Sequence, residues 1–444
     1  DTDRSRGLGD VYKRQTHNRS FNAFYLLLGL CSTTSLLSIG ILGIYISLFS
    51  IVLILVFIDL FINQTSSSIY KNTHVDKIFY FWMLISIASS LFGFFYFSTD
   101  SFEWQLAALS HIPKMIIYTL LFYLLKKQVN TTMYVRLIAV GILWGAILNL
   151  IWALFDAAIY YSNGYSITNE LFSGYINALD VRYGMISLTI GGTIRSCGLN
   201  IDPANIGFLA PLLASYALKS RKYYLFLLSF ISIFTSLSHT AFVGILLVSI
   251  LSMLTNVKKF LVGLLLLCII AVPIGFISNN DNGVSAAMIN AFVERTEAKE
   301  DSSSESTRAN YILNFPKAVM LQPSSFLIGT GYFTSSYPYV KNKLASNYEP
   351  YDPENTYIAT YFDCGMIGFI AFLLLYYSLF KKLRFKCLNY NDSHCYILCA
   401  GIESSLLVFL FYHYTIYSVI MLLTIISIIE YDKIKIGNFN NYNV

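Results

Sequence analysis

Apolar runs close to 20 residues recur along this chain, and a helix needs about 20 such residues to cross the hydrocarbon core of a bilayer. Twelve segments qualify, at 22–39, 41–62, 77–97, 105–125, 134–155, 203–219, 222–237, 239–255, 258–277, 356–380, 395–411 and 413–430. Residues 21–62 form one continuous run that Gly40 and Gly43 divide at a tight turn. With 56% hydrophobic and 12% charged residues, and a mean hydropathy of +0.58, the composition belongs to polytopic membrane proteins and excludes a soluble globular enzyme.

Charge placement orients the spans. With the N-terminus inside, the cytoplasmic connections carry seventeen Lys and Arg residues in short loops, among them Lys126, Lys127, Lys219, Arg221, Lys222, Lys381, Lys382 and Lys386. The outer connections carry eight over far more residues: Arg182, Arg195, Arg295, Lys299, Arg308, Lys317, Lys341 and Lys343. This asymmetry obeys the positive-inside rule. The expected fold is therefore an all-α polytopic membrane protein of about twelve helices, with both termini cytoplasmic and two long extracytoplasmic loops. The net charge of +5 follows from this orientation and requires no nucleic acid.

The organisation expected from these spans is helices 1–5 over 16–155, an outer loop over 156–202, helices 6–9 over 203–277, a large outer loop over 278–355, helices 10–12 over 356–430 and a tail over 431–444. Residues 1–15 stand apart, because Asp10–Gln15 resembles the translation of a transposon end used in preparing sequencing libraries, and they are set aside from fold reasoning. The seven cysteines form no disulfide framework, and Cys395 and Cys399, one helical turn apart, have no partners at metal-site spacing.

The second outer loop holds nine acidic and six basic side chains, much of the polarity of the chain. It opens with a polar tract from Glu294 to Arg308, becomes helix-like from Tyr311 to Leu321, and stops at Pro323. The first outer loop is broken by glycines into apolar pieces too short to span, which suits segments on or dipping into the membrane surface.

Three constellations carry candidate chemistry. In Arg195-Ser-Cys-Gly198 followed by Asp202-Pro203, the Asp-Pro pair starts a helix at the outer surface, so a positive dipole end lies near Arg195 and favours an anion; headgroup anchoring is the alternative. In the second, Arg308 precedes Gly329-Thr-Gly331-Tyr332: arginine offers a planar fork for phosphate oxygens, and the glycines permit a sharp turn or a close approach. The third is Tyr351-Asp-Pro-Glu-Asn-Thr-Tyr357, where Glu354, with Asp352 as its neighbour, is either a general base or a capping carboxylate at a helix start. Asp59, His111, Lys114, Asp156, Asp363, Glu403 and His413 are ionisable residues in or beside spans, where charge is costly. There is no nucleotide-binding P-loop, dinucleotide fingerprint or paired-histidine site, so no cofactor is expected.

In this order and on this topology, Arg195-x-x-Gly198, Ser236-Leu-Ser-His239-Thr-Ala241, Arg308 with Gly329-x-Gly331, and Glu354-Asn355-Thr-Tyr357 running into Gly365-Met-Ile-Gly368 resemble the O-antigen polymerase (Wzy-type) and O-antigen ligase superfamily. The resemblance covers about residues 195–380. It implies a metal-independent glycosyltransferase in the bacterial cytoplasmic (inner) membrane, acting on undecaprenyl-pyrophosphate-linked oligosaccharides at the outer face. Its other partners would be membrane lipid, a chain-length regulator and a flippase. On this resemblance Arg195 and Arg308 would hold the pyrophosphate and Glu354 or Asp352 would take the proton of the attacking hydroxyl. Gly198, Gly329, Gly331, Asn355 and His239 would line the substrate.

Two departures from the family pattern stand out. Ligases of the superfamily usually carry His-Asn where this chain has Glu354-Asn355, which favours a polymerase. The family's Ser-Arg step is Ser238-His239 here, so a phosphate-binding arginine is missing at that point. A lipid-linked oligosaccharide flippase or other transporter also accommodates twelve helices, but the two halves show no similarity and both long loops are outside.

Overall fold

A computed structural model of the chain describes residues 21–41, 44–63, 73–99, 102–173, 187–190, 193–200, 205–253, 303–322, 326–332, 334–344, 355–389, 392–410 and 417–440. The expected adapter segment 1–15 and span 258–277 lie outside these residues, as do Asp202-Pro203, Asp352, Glu354 and His413.

Helix α1 (Phe21–Ser32) leads into a hairpin of β1 (Ser38–Ile41) and β2 (Ile44–Ser47), paired antiparallel with Ser38 opposite Ser47, and then into α2 (Leu48–Ile62). The division expected at Gly40 and Gly43 is thus a β-hairpin and not a bare turn. Ile39, Ile41, Ile44 and Ile46 alternate with other residues through this stretch, which fits a pleated strand better than the end of a helix. Helix α3 (His74–Tyr96) begins with a capping box between Thr73 and Asp76. The fourth expected span is interrupted. Helix α4 (Phe102–Leu109) stops and α5 (Ile112–Lys127) restarts around Pro113, whose missing N–H and bulky ring prevent one helix from running through.

Helix α6 (Thr131–Asn163) runs well past the expected end at 155 and closes on Gly164, a left-handed C-cap with φ 81°. The first outer loop folds into the short helix α7 (Ile167–Leu171) and a second hairpin of β3 (Leu188–Ile190) and β4 (Thr193–Arg195). The remaining helices are α8 (Ile206–Ser220), α9 (Tyr223–Ser236), α10 (His239–Met253), α11 (Ser303–Leu321), α12 (Tyr337–Lys341), α13 (Thr356–Asn389), α14 (Ser393–Val408) and α15 (Tyr417–Asn440). Helix α11 starts inside the polar tract, eight residues before the helix-like stretch expected from Tyr311, where Ser and Glu suit a helix N-terminus.

Among the described residues four helical stretches have the length and hydropathy to cross a membrane: His74–Tyr96, Phe102–Lys127, Thr131–Asn163 and Thr356–Cys387. Shorter apolar helices surround them, giving a mostly helical, polytopic membrane protein with two small hairpins.

Helix α8 occupies the centre and packs against α6, α9, α10 and α14. Every residue from Ile206 to Leu218 is buried, as expected of a helix that is apolar all round. Around it the large outward side chains, such as Leu84, Phe95, Trp144, Leu374 and Tyr377, face away from the protein, as a lipid-facing belt does. Polar links tie the end of the bundle assigned to the cytoplasm: Lys126 with Asp76, Lys219 with Glu403, and Lys386 with Glu430.

Candidate functional site

At the opposite end, the three constellations become two assemblies joined by α14, which packs on both α8 and α13. In the first, β4 lies on the last turn of α9. Ser196 N donates to Thr235 O at 2.9 Å, and Arg195 Nε donates to Ser236 O at 3.3 Å. Arg195 therefore meets the Ser236–Ala241 motif directly, and one of its five donors is committed there. His239 opens α10 immediately after this contact, but its side chain lies outside the described residues.

Two buried polar side chains of α6 hold the loop that carries Arg195. Asp156 accepts from Ser166 Oγ (2.8 Å), Thr168 N (3.1 Å), Ser187 Oγ (2.7 Å) and Ser196 Oγ (2.9 Å). Asn149 accepts from Leu199 N (3.0 Å) and Asn200 Nδ2 (2.7 Å) while donating to Thr33 O (2.9 Å). Gly198 sits against Asn149 with φ 66°, and a Cβ there would stand 2.8 Å from the Asn149 carbonyl. Its place is explained by this close approach, on the protein side of the loop. Nothing in the sequence pattern signalled Asn149, whose partners are 116, 50 and 51 residues away.

The second assembly forms around a break in α13. Gly365 has φ 67° and ψ −177°, a backbone region open essentially only to glycine, and it divides the helix into Thr356–Cys364 and Met366–Asn389. The segment Phe326–Gly331 fills the break. Thr330 N donates to Phe362 O and Gly331 N to Asp363 O, each at 2.9 Å, which satisfies carbonyls at the end of the first half. Met366 N donates to Phe326 O at 2.8 Å and Ile367 N to Leu327 O at 3.3 Å, which satisfies amides at the start of the second. Ser89 of α3 closes the joint, donating to Asp363 O and accepting from Gly331 N at 3.0 Å. Gly329 and Gly331 both have positive φ, 82° and 95°. The Gly-x-Gly motif and the Gly365-Met-Ile-Gly368 motif, far apart in sequence, are thus one structural joint.

The first half-helix doubles back from this joint. Tyr357 lies 6.1 Å from Phe372 between ring centroids, and both rings meet Phe409. Its N-terminus consequently reaches into the bundle. Asn355 caps it, accepting from Ile358 N at 3.1 Å, and donates to Leu410 O at 3.0 Å, while Thr356 N donates to Phe409 O at 2.8 Å. Asn355 is thereby a cap and a tether. A small, mainly aromatic cavity opens here, lined by Thr356 and Thr360 of the first half, Phe372 and Tyr376 of the second, Trp82 of α3 and Tyr417 of α15, among others. Tyr332 also lines it and stacks on His111 at 5.5 Å. Glu354 directly precedes Asn355 in the chain and lies outside the described residues.

Outside the bundle, α11 and α12 pack on the first half-helix through Tyr311, Phe315, Tyr339, Tyr361 and Phe362. Tyr339 donates to Tyr311 O at 3.0 Å, and burial, followed by the neighbouring Tyr311, raises its phenol above the usual range, so it serves as a neutral donor. Arg308 stands one turn before Tyr311 in α11; its side chain lies outside the described residues. No cluster of His, Cys, Asp and Glu suited to a metal ion occurs among the described residues.

No curated protein matches the chain. A protein family described as O-antigen ligase matches residues 224–373, a stretch that runs from α9 through the Gly-x-Gly segment and the folded-back half of α13 into its second half. Members of that family are glycosyltransferase-like enzymes acting on lipid-linked sugars. The expectation drawn from the motifs and the family match meet on the same joint, and over this third of the integral membrane protein the chain is similar to the O-antigen ligase family.

Proposed function

We propose that the chain is a polysaccharide polymerase that joins oligosaccharide repeat units carried on undecaprenyl pyrophosphate, at the outer face of the bacterial cytoplasmic membrane. The observation that carries this reading is the folded-back half-helix: its N-terminus, which follows Glu354-Asn355, points into an aromatic cavity inside the bundle. This N-terminus offers a positive helix end beside ring faces on which a sugar can stack, and Glu354 is the carboxylate that comes just before it in the sequence.

In the proposed reaction the bond between the anomeric carbon of the donor and its pyrophosphate oxygen breaks. A new bond forms from that carbon to a hydroxyl oxygen of the acceptor glycan. The hydroxyl proton passes to the carboxylate of Glu354, with Asp352 as its neighbour, and the electron pair leaves with the pyrophosphate. Arg195 and Arg308 hold that anion, a role in which fixed positive charge stabilises the charge developing in the transition state. No metal is required by this scheme, and the pyrophosphate bond supplies the driving force.

Ligase chemistry is the second reading, favoured by the description of the matching family; the Glu354-Asn355 pair in place of His-Asn favours the polymerase. Deleting the gene in its host and resolving surface and lipid-linked glycans by length separates them. Single repeat units transferred to the final acceptor, without a ladder, are expected for a polymerase. Full-length polymer stranded on the lipid carrier would identify a ligase, and single units trapped on the inner leaflet would identify a flippase and remove the catalytic reading.

A further inference from the structure

Helix α11 turns one face to the protein and leaves the other uncovered. Tyr311, Phe315, Ala318 and Val319 pack on the outer aromatic cluster. Leu313 is 75% exposed and Met320 81%, with Ile312 and Leu321 also exposed. At the helical period these four residues, with exposed Pro316 and Lys317, occupy a single side of the helix. An apolar side of this kind facing water would be an aggregation-prone patch.

The surroundings identify what covers it. A few residues after α11, Phe326, Leu327 and Ile328 are exposed as well. That segment is hydrogen-bonded through Phe326 O and Leu327 O to Met366 and Ile367, at the head of the membrane-spanning half of α13. The outward stripe of that half is Ile367, Ile370, Leu373 and Leu374, an exposed apolar stripe on a helix long and apolar enough to cross a membrane. The exposed apolar side of α11 is thus followed in the chain by an exposed apolar segment that is hydrogen-bonded to the head of the membrane-spanning half-helix. Lys317, a charge on the described part of this face, suits the same surroundings, since a lysine stem can lie on apolar surface while its ammonium reaches phosphate.

We propose that α11 lies in the outer membrane interface, with Leu313 and Met320 at the acyl boundary and Lys317 among the phosphates of the lipid headgroups. If Arg308 binds the pyrophosphate, a role that rests on the function proposed above, this seat fixes its depth at the level where a lipid-borne pyrophosphate lies.

The test uses the full chain in phospholipid vesicles, with a polarity-sensitive fluorophore on Leu313→Cys or Met320→Cys, and on Lys343→Cys as an exposed reference. The unsubstituted chain treated identically gives the background. Lipids brominated near the glycerol end of the acyl chain are expected to quench the labels at 313 and 320 roughly twofold more than lipids brominated near the methyl end, as an interfacial helix requires, and to leave the label at 343 unquenched. Absence of quenching at both positions overturns the proposal: a red-shifted label then means water, and a blue-shifted one means a protein partner or second copy on this face. The measurement needs no substrate. Normal polymer from Arg308→Ala would remove the pyrophosphate role and leave the lipid seat standing.

Discussion

The rings of Tyr357 and Phe372 lie 6.1 Å apart, although the two residues are fifteen positions apart in one helix-forming stretch. In an unbroken α-helix they would be separated by about 22 Å along the axis. The chain folds back at Gly365 to bring them together, and that fold places the Asn355 cap inside the bundle rather than at its rim.

Gly365→Ala is expected to destabilise the protein severely. The positive φ alone costs of order 1–3 kcal/mol for a residue with a side chain. The added Cβ would also stand 2.3 Å from the Leu327 carbonyl, which is itself held to Ile367 N. Thermal melting in detergent, followed by size-exclusion fluorescence, should show a lower transition or loss of the monodisperse species. An unchanged melt would mean that the break at Gly365 is not needed for folding.

Asp156→Ala should loosen the first outer loop. The carboxylate accepts three hydroxyls and one backbone amide, and each donor left buried without a partner costs about 1–3 kcal/mol. Asp156→Asn, which keeps acceptor capacity at one oxygen, should be milder. Limited proteolysis from the outer side should cut the alanine variant faster between α6 and α8. Equal cutting rates would show that the knot does not hold the loop.

The Lys219–Glu403 pair gives a separate test of the interior. Ser215 Oγ donates to Glu403 at 2.6 Å, and Lys219 Nζ donates to Ser215 Oγ at 2.6 Å, so the pair is a closed network between α8 and α14. Removing one partner by Glu403→Leu should cost about 3–5 kcal/mol, because a buried ammonium is left uncompensated. The double change Lys219→Met with Glu403→Leu should recover much of that loss. A double-mutant cycle on melting temperature measures it, and additive effects would exclude the network.

Glu354→Gln and Arg195→Ala should abolish polymer formation in the complemented deletion strain while leaving membrane protein levels unchanged. Arg195→Lys should restore little activity, because a point charge cannot both hold the Ser236 carbonyl and offer a planar fork. A normal ladder from Glu354→Gln would transfer attention to Asp352, and a normal ladder from Arg195→Ala would remove the anion role at that site.

What the sequence by itself determined is the class, and its hydropathy explains why. Runs such as 77–97 and 134–155 are apolar enough that only a membrane-buried helix accommodates them, and the helices His74–Tyr96 and Thr131–Asn163 stand there. The motif order also pointed to the family whose model matches, because Gly329-x-Gly331 and Gly365-Met-Ile-Gly368 both lie within the matched residues 224–373. What only the tertiary structure decided is how those motifs meet. Hydropathy read 356–380 as one span because the strongly apolar segment after Gly365 carries the average over the more polar Thr356–Cys364; the break exists because Phe326–Gly331 arrives to satisfy the backbone groups it exposes. The roles of Asn149 and Asp156 were hidden for the same reason. A buried polar side chain is defined by the partners that fold onto it, and those partners are contributed by distant parts of the chain.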